Sequence, residues 1–466
     1  MKGEKINKWG NKHMEQKRSS FTGKIGFVLA AAGSAVGLGN LWRFPYLAAK
    51  YGGGIFLLVY LILAVTFGFA LMCAEIAIGR HTGLSAIGAF KKLNKKFTFL
   101  GYLVAVIPII ILPYYSVIGG WVLKYMSAYI GGMGAELAKD GGAFFGSFIS
   151  SPVEPVVWFL LFLGITFLVV MLGIEKGVEK VSKIMMPVLV VLSLFIAIYT
   201  LFLPGAGEGI KYYLIPDFSK FSIKTVLGAM GQLFYSMSLA MGIMITYGSY
   251  MKKEVSIEKS VSQIEIFDTG IAILAGFMVI PAVVAFQGVE SVNKGPGLMF
   301  STLPQVFDKM PGGNIIGVVF FVLVLFAALT SSISLMETIV SLFCDKFKLN
   351  RKLTCVLVFL GCIILGLPSS LGFNVWSGIT PLGEGSSILD FFDFASNSVL
   401  MPIAALLTCI FVGYVLTPKV IVDEIALNGK FKREKLFVVI IKYIAPICIV
   451  LILISSVLDA LKIFTI

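Results

Sequence analysis

The chain has 466 residues, of which 58% are hydrophobic and 14% charged, and its formal net charge is +13. A soluble protein averages about 25% charged residues, and the apolar residues here gather in runs near the roughly 20 needed to cross a bilayer. That excludes an ordinary soluble domain and indicates an all-α polytopic membrane protein.

The first 20 residues are polar and lack the pattern of a secretory signal. The length criterion then gives about 11 spans, at 22–50, 52–80, 97–130, 155–174, 178–203, 222–251, 261–288, 313–344, 353–370, 386–414 and 436–459. Most Lys and Arg residues fall before residue 25 or in 80–96, 176–183, 252–259, 346–352 and 419–442. Alternating spans place all of these on one side, which the positive-inside rule makes cytoplasmic. The N-terminus is then inside and the C-terminus outside. The basic charge reflects topology, not a nucleic-acid partner.

The six cysteines (Cys73, Cys344, Cys355, Cys362, Cys409, Cys448) lie within spans or near their ends, so no disulfide framework is implied. His13 and His81 fall on the cytoplasmic side, which leaves no Ser–His dyad at membrane depth. Asp268 and Asp393 fall in opposite halves of the membrane and cannot act as a pair. The chain does not read as an enzyme.

Two spans are poor helices. The first carries GSAVGLGNLWRFP, with Gly33, Gly37, Gly39, Asn40, Arg43 and Pro45. The sixth carries GQLFYSMSLAMG, from Gly231 to Gly242, with Ser236 and Ser238. Unwound backbone in a bilayer costs several kcal/mol per unsatisfied group unless a partner replaces the helical one. A bound solute is such a partner: freed carbonyls suit a cation and freed N–H groups a carboxylate. Interrupted segments in corresponding positions of two halves point to a transporter site. The halves are 21–203 and 222–414, joined by an outer loop at 204–221. A cytoplasmic segment (1–20) precedes them, and a cytoplasmic loop with the eleventh helix (415–466) follows.

GSAVGLGNLWRFPYLAAKYGGG closely resembles the first span of the neurotransmitter:sodium symporters. AEIAIGR (74–80), the Tyr114–Tyr115 pair, GQLFYSMSLAMGIMITYGSY (231–250), ALTSSIS (328–334) and LDFFDFAS (389–396) extend the resemblance over nearly the whole chain. It implies the fold of the bacterial leucine transporter: a five-plus-five inverted repeat with discontinuous helices 1 and 6. It also implies sodium-driven uptake of amino acids or amino-acid-derived transmitters by alternating access. No substrate-independent cofactor is implied beyond two sodium ions, and nothing separates a monomer from a dimer in the lipid bilayer.

By this resemblance one sodium site comprises the carbonyls of Gly33, Val36 and Ala327 with the hydroxyls of Thr330 and Ser331. The other comprises Ala35, Asn40, Ser236, Asp268 and the substrate carboxylate. A small hard cation favours such all-oxygen sets. Asp268 departs from the Asn of many members, and Ala272 replaces the Glu of the bacterial leucine transporter. Tyr60, Gln232 and Ser236 match the chloride surroundings of animal members, and the Asp268 charge suggests chloride-independent transport. A proton-coupled carrier of the same fold, with Asp268 as its proton site, is the alternative.

The resemblance also maps a substrate pocket onto Ala35, Leu38, Gly39, Ile111, Tyr115, Tyr235, Ser236, Ser238, Met241, Ser331 and Leu335. Gly37 stands where monoamine carriers place Asp, so the solute must bring its own carboxylate. The soft apolar end (Ile111, Met241, Leu335) suits a neutral apolar or aromatic L-amino acid. The resemblance further implies an outer gate of Arg43 and Asp393, paired directly or through water. Inner gate residues are Arg18, Asp345 and Tyr250, with Phe21 where the family usually has Trp. Gly177 and Pro187 bracket the start of span 5, where unwinding offers sodium a route inward.

Overall fold

The computed structural model describes residues 20–288 and 298–460. Among them the regular elements are helices, with one isolated β-bridge between Gly53 and Pro216. The elements used below are α1 (Lys24–Ala35), α2 (Gly39–Lys50), α3 (Gly54–Thr82), α4 (Lys95–Ile130), α5 (Glu154–Met171) and α6 (Ile174–Leu201). They continue with α7 (Ile223–Ser236) and α8 (Ile243–Ser249). The last are α9 (Ile257–Gln287), α10 (Gly313–Phe347), α11 (Arg351–Leu371), α12 (Ile388–Val415) and α13 (Glu434–Ser455).

Among the described residues nine of these helices are long and apolar enough to cross a membrane. A tenth span is the α1–α2 pair, bent by 48° at its break. Every segment expected from the sequence has a helical counterpart. The remaining expected span, the sixth at 222–251, is the pair α7–α8, whose members have 14 and 7 residues and stand below that length criterion. At 1.5 Å per residue, α4 with 36 residues and α10 with 35 overreach the hydrocarbon layer of about 30 Å.

Burial sorts the helices into layers. The central one is α10, the most buried of the nine, which packs on α1, α4, α5 and α6. α5, α6, α11 and α13 are the least buried. They expose rows of aliphatic side chains, such as Leu161, Ile165 and Leu168, or Leu357, Leu360 and Ile364. Exposed apolar surface of that extent marks a membrane-facing side. Against α3, α8 comes close enough that a Cβ at Gly79 or Gly248 would collide with the opposing backbone. These glycines hold the short α8 in place where its length alone could not.

The lysine-rich ends of the helices share one face. There Arg80, its side chain fully buried, donates to Glu424 Oε1 at 2.7 Å and to the Val255 carbonyl at 2.6 Å. His81 Nδ1 lies 3.1 Å from the other Glu424 oxygen. On the opposite face the helix Ala206–Leu214 packs down, with Tyr213 donating to the Ile273 carbonyl at 3.1 Å. All six cysteines are free thiols. His13 and Arg18 lie outside the described residues.

Candidate functional site

The two breaks face each other at the centre of the bundle. α1 ends at Ala35; Val36 still donates to the Ala32 carbonyl at 2.7 Å and then turns extended, with ψ at 94°. A helix end frees its last carbonyls. That of Ser34 accepts from Ser238 Oγ at 2.9 Å and from Ser331 Oγ at 3.0 Å, so one carbonyl joins both breaks to α10.

The second break runs through Ser238 and Ala240, both with positive φ (53° and 62°), and Gly242 at 78°. Left-handed backbone costs a non-glycine residue roughly 1–3 kcal/mol and persists where surroundings hold it. One such restraint is Glu75, buried within α3, whose Oε1 accepts the Ala240 N–H at 2.6 Å. Ser34 and Glu75 were not singled out in the sequence.

A cavity occupies the space between the breaks, α4 and α10. Ten of the eleven expected pocket residues line it, joined by Ser34, Gly37 and Ile243. Ser236 is the exception, since its hydroxyl turns away to Asp268. The polar end holds the Ser331 and Ser238 hydroxyls and Tyr115, whose hydroxyl accepts the Leu38 N–H at 3.4 Å. Ile111, Met241, Leu335 and Ile243 form the apolar end. An added Cβ at Gly37 would lie 2.5 Å from Ser331 Oγ and 3.3 Å from the Tyr115 hydroxyl. Only glycine lets the first break approach this closely.

Beside the pocket the Asp268 carboxylate is fully buried. Its Oδ1 accepts from Ser236 Oγ at 2.7 Å and from Asn40 Nδ2 at 2.8 Å, and its Oδ2 accepts from Tyr60 at 3.2 Å. Asn40 Oδ1 in turn accepts the Gly37 N–H at 3.2 Å, and Gln232 donates to the Gly39 carbonyl at 2.8 Å. Among the described residues no Lys or Arg pairs with Asp268. A buried carboxylate without a cationic partner is costly, and a cation among the nearby oxygens offsets that cost. Ala272, one turn further along α9, is buried and uncharged.

On α10, Ala327, Thr330 and Ser331 share one turn facing α1, and Thr330 Cβ lies 3.2 Å from where a Gly33 Cβ would stand. Thr330 Oγ1 donates back to the Phe326 and Ala327 carbonyls at 3.0 and 3.1 Å. Gly33, Val36, Ala327, Thr330 and Ser331 are all buried at this α1–α10 contact.

Towards the opposite face Tyr235 lines both the pocket and a wider vestibule of about 350 Å³. Arg43 and Asp393 line that vestibule without a direct ion pair. The Arg43 guanidinium lies over the Tyr235 ring at 5.6 Å, while Asp393 accepts from Asn397 at 2.6 Å and Tyr114 at 3.2 Å.

The lysine-rich face is closed. Phe21, 1% exposed, packs edge-on against Phe27, Tyr247 and Tyr250, and its N–H donates to the Tyr250 carbonyl at 3.2 Å. The Tyr250 hydroxyl donates to Glu337 at 2.8 Å, and Glu337 is paired with Arg351. Asp345 Oδ2 accepts the Ser85 N–H at 2.8 Å. Next to Phe21, Thr22 N–H donates to Glu179 at 2.9 Å, on the π-helical turn that opens α6. Pro187 follows inside α6. Glu337, Arg351 and Glu179 are further residues that sequence reasoning missed.

Facing helix breaks around a cavity, in a bundle of membrane-length helices, are the arrangement of a multi-pass membrane transporter. The chain belongs to the sodium:neurotransmitter symporter family, whose model matches residues 18–133 and 149–464. It is 35% identical to the uncharacterized sodium-dependent transporter YhdH of Bacillus subtilis, over 95% of this chain and 98% of that protein. An uncharacterized sodium-dependent transporter of Haemophilus influenzae is also 35% identical, with the same coverage. The crystal structure of MhsT in complex with L-phenylalanine superposes with a TM-score of 0.86 at 38% identity, over 94% of this chain and all of that one.

Proposed function

We propose that this protein is a sodium symporter importing a neutral apolar or aromatic L-amino acid, independently of chloride. The observation that carries the reading is the buried Asp268 carboxylate, held by three donors and no cationic side chain, beside the first helix break. One sodium ion sits between that carboxylate, Asn40, Ser236 and the Ala35 carbonyl, where the substrate carboxylate completes its oxygen shell. The second sits between the Gly33, Val36 and Ala327 carbonyls and the Thr330 and Ser331 hydroxyls. Such oxygen sets match a hard cation. Asp268 supplies the negative charge that chloride gives elsewhere.

The pocket supports this substrate class. Its polar end lies at the breaks, where Tyr115 and the backbone N–H groups near Gly39 receive the carboxylate. Ile111, Met241, Leu335 and Ile243 receive an apolar side chain. MhsT, with L-phenylalanine bound, supports this class. The five-plus-five inverted repeat over 21–203 and 222–414, with the lysine-rich face cytoplasmic, belongs to the same reading. So do the gates: Arg43, Tyr235 and Asp393 outside, and Arg18, Phe21, Tyr250 and Asp345 inside. Two sodium ions entering down 100 mV and a tenfold gradient supply about 7 kcal/mol.

Binding of labelled L-phenylalanine and L-leucine to the purified protein tests the site, in sodium chloride, sodium gluconate and choline chloride. Binding in both sodium salts and not in choline is expected. Binding that requires chloride, or ignores sodium, overturns the reading.

A further inference from the structure

At the lysine-rich face a cleft of about 630 Å³ opens between the start of α1, the start of α9 and the segment leading into α13. Lys24, Lys259, Lys430 and Lys432 line it, and none has a carboxylate partner among the described residues. The single acid in the wall, Glu258, is spent on the backbone N–H groups of Lys432 and Arg433. Arg433 is occupied by the Phe69 ring at 4.4 Å and by Glu265 at 3.6 Å. Those hydrogen bonds leave the Glu258 charge in place, so four lysines against one acid, with Arg433 offset by Glu265, leave the cleft a net charge of +3.

Its rim is unusual for a charged surface. Ile25, next in the chain to Lys24, is 69% exposed. Ile266, one turn along α9 from the cleft residues Ser262 and Gln263, is 70% exposed. Exposed aliphatic side chains thus lie within one helical turn of cleft residues on both α1 and α9. The chain's own N-terminal residues are no counter-charge, since 1–23 hold six Lys and Arg against two Glu.

We infer that this cleft is a binding site for the phosphate headgroup of an anionic phospholipid, whose acyl chains run along Ile25 and Ile266. A phosphate ester satisfies the lysines, each worth about 1 kcal/mol near an anionic lipid surface. The apolar rim favours a phosphate that carries chains over a free one. No zwitterionic lipid offers the same net charge.

The test is native mass spectrometry of the full chain in detergent with equal phosphatidylglycerol and phosphatidylethanolamine. Three proteins are compared: wild type, K24Q/K259Q/K430Q/K432Q, and a control, K91Q/K95Q/K96Q/K348Q, that removes the same charge from the same face. The wild type and the control should retain phosphatidylglycerol over phosphatidylethanolamine. The cleft variant should lose that preference, with retention falling about fivefold per lysine, and millimolar inorganic phosphate should not displace the lipid. Equal losses in both variants, no preference in the wild type, or displacement by free phosphate would overturn the inference.

Discussion

Asn40 donates its side-chain amide to the Asp268 carboxylate at 2.8 Å, linking the first helix break to α9 across 228 residues of sequence. The contact fixes Asn40 so that its oxygen takes the Gly37 N–H, inside the break itself. The geometry of the broken helix and the charge of the proposed ion site are therefore set by one pair of residues.

Replacing Asp268 tests that coupling. Asp268→Asn keeps hydrogen-bonding capacity and removes the charge. Charge-assisted contacts are worth roughly 1.5–3 kcal/mol, so the sodium concentration giving half-maximal substrate binding should rise about tenfold or more. The variant should also gain a dependence on chloride. A sodium titration that matches wild type in both chloride and gluconate would count against the assignment.

The second break depends on Glu75. Glu75→Ala leaves the Ala240 N–H buried without an acceptor, at a cost of about 1–3 kcal/mol. Glu75→Gln retains an oxygen there. Thermal unfolding in detergent should show the Gln variant close to wild type and the Ala variant clearly lower. Equal losses would mean that charge, not the hydrogen bond, holds this backbone.

Gly37 has no room to grow. Its Ala variant pushes a methyl group towards Ser331 Oγ and the Tyr115 hydroxyl. Overpacking costs roughly 1–3 kcal/mol, which corresponds to about a tenfold or greater loss of amino-acid affinity. Equilibrium binding of the labelled substrate measures it, and unchanged affinity would place the substrate elsewhere.

The closed lysine-rich face rests on the Tyr250–Glu337–Arg351 chain of contacts. Arg351→Ala strands a buried carboxylate, a change typically worth 3–5 kcal/mol, and should favour opening of that face. Amide exchange at residues 20–36 should then accelerate. Arg18→Ala is expected to act in the same direction. Exchange identical to wild type would show that these residues do not hold the gate.

Much of this was legible in the sequence because it is local. Clustered glycines with Asn40 and Pro45 marked the first break, and the Gly231–Gly242 stretch marked the second. The pocket set is what the family resemblance implies for these motifs, and ten of its eleven residues converge on one cavity. What was missed is non-local. Glu75 meets Ala240 across 165 residues, and Ser34 meets Ser331 across 297. The argument that singled out Asp268, an ionisable residue within a span, applies equally to Glu75 and Glu337, which stood unused in their apolar runs. Arg43 and Asp393 illustrate the opposite limit. They share a vestibule, where Asn397 and Tyr114, not Arg43, donate to the Asp393 carboxylate.

The most direct test of the central claim is uptake of labelled phenylalanine, tyrosine, tryptophan and leucine into proteoliposomes under an imposed sodium gradient, with choline as control. Accumulation that requires inward sodium and survives replacement of chloride by gluconate is the predicted result. Accumulation that ignores sodium and follows an imposed proton gradient would contradict it and reassign Asp268 to a proton.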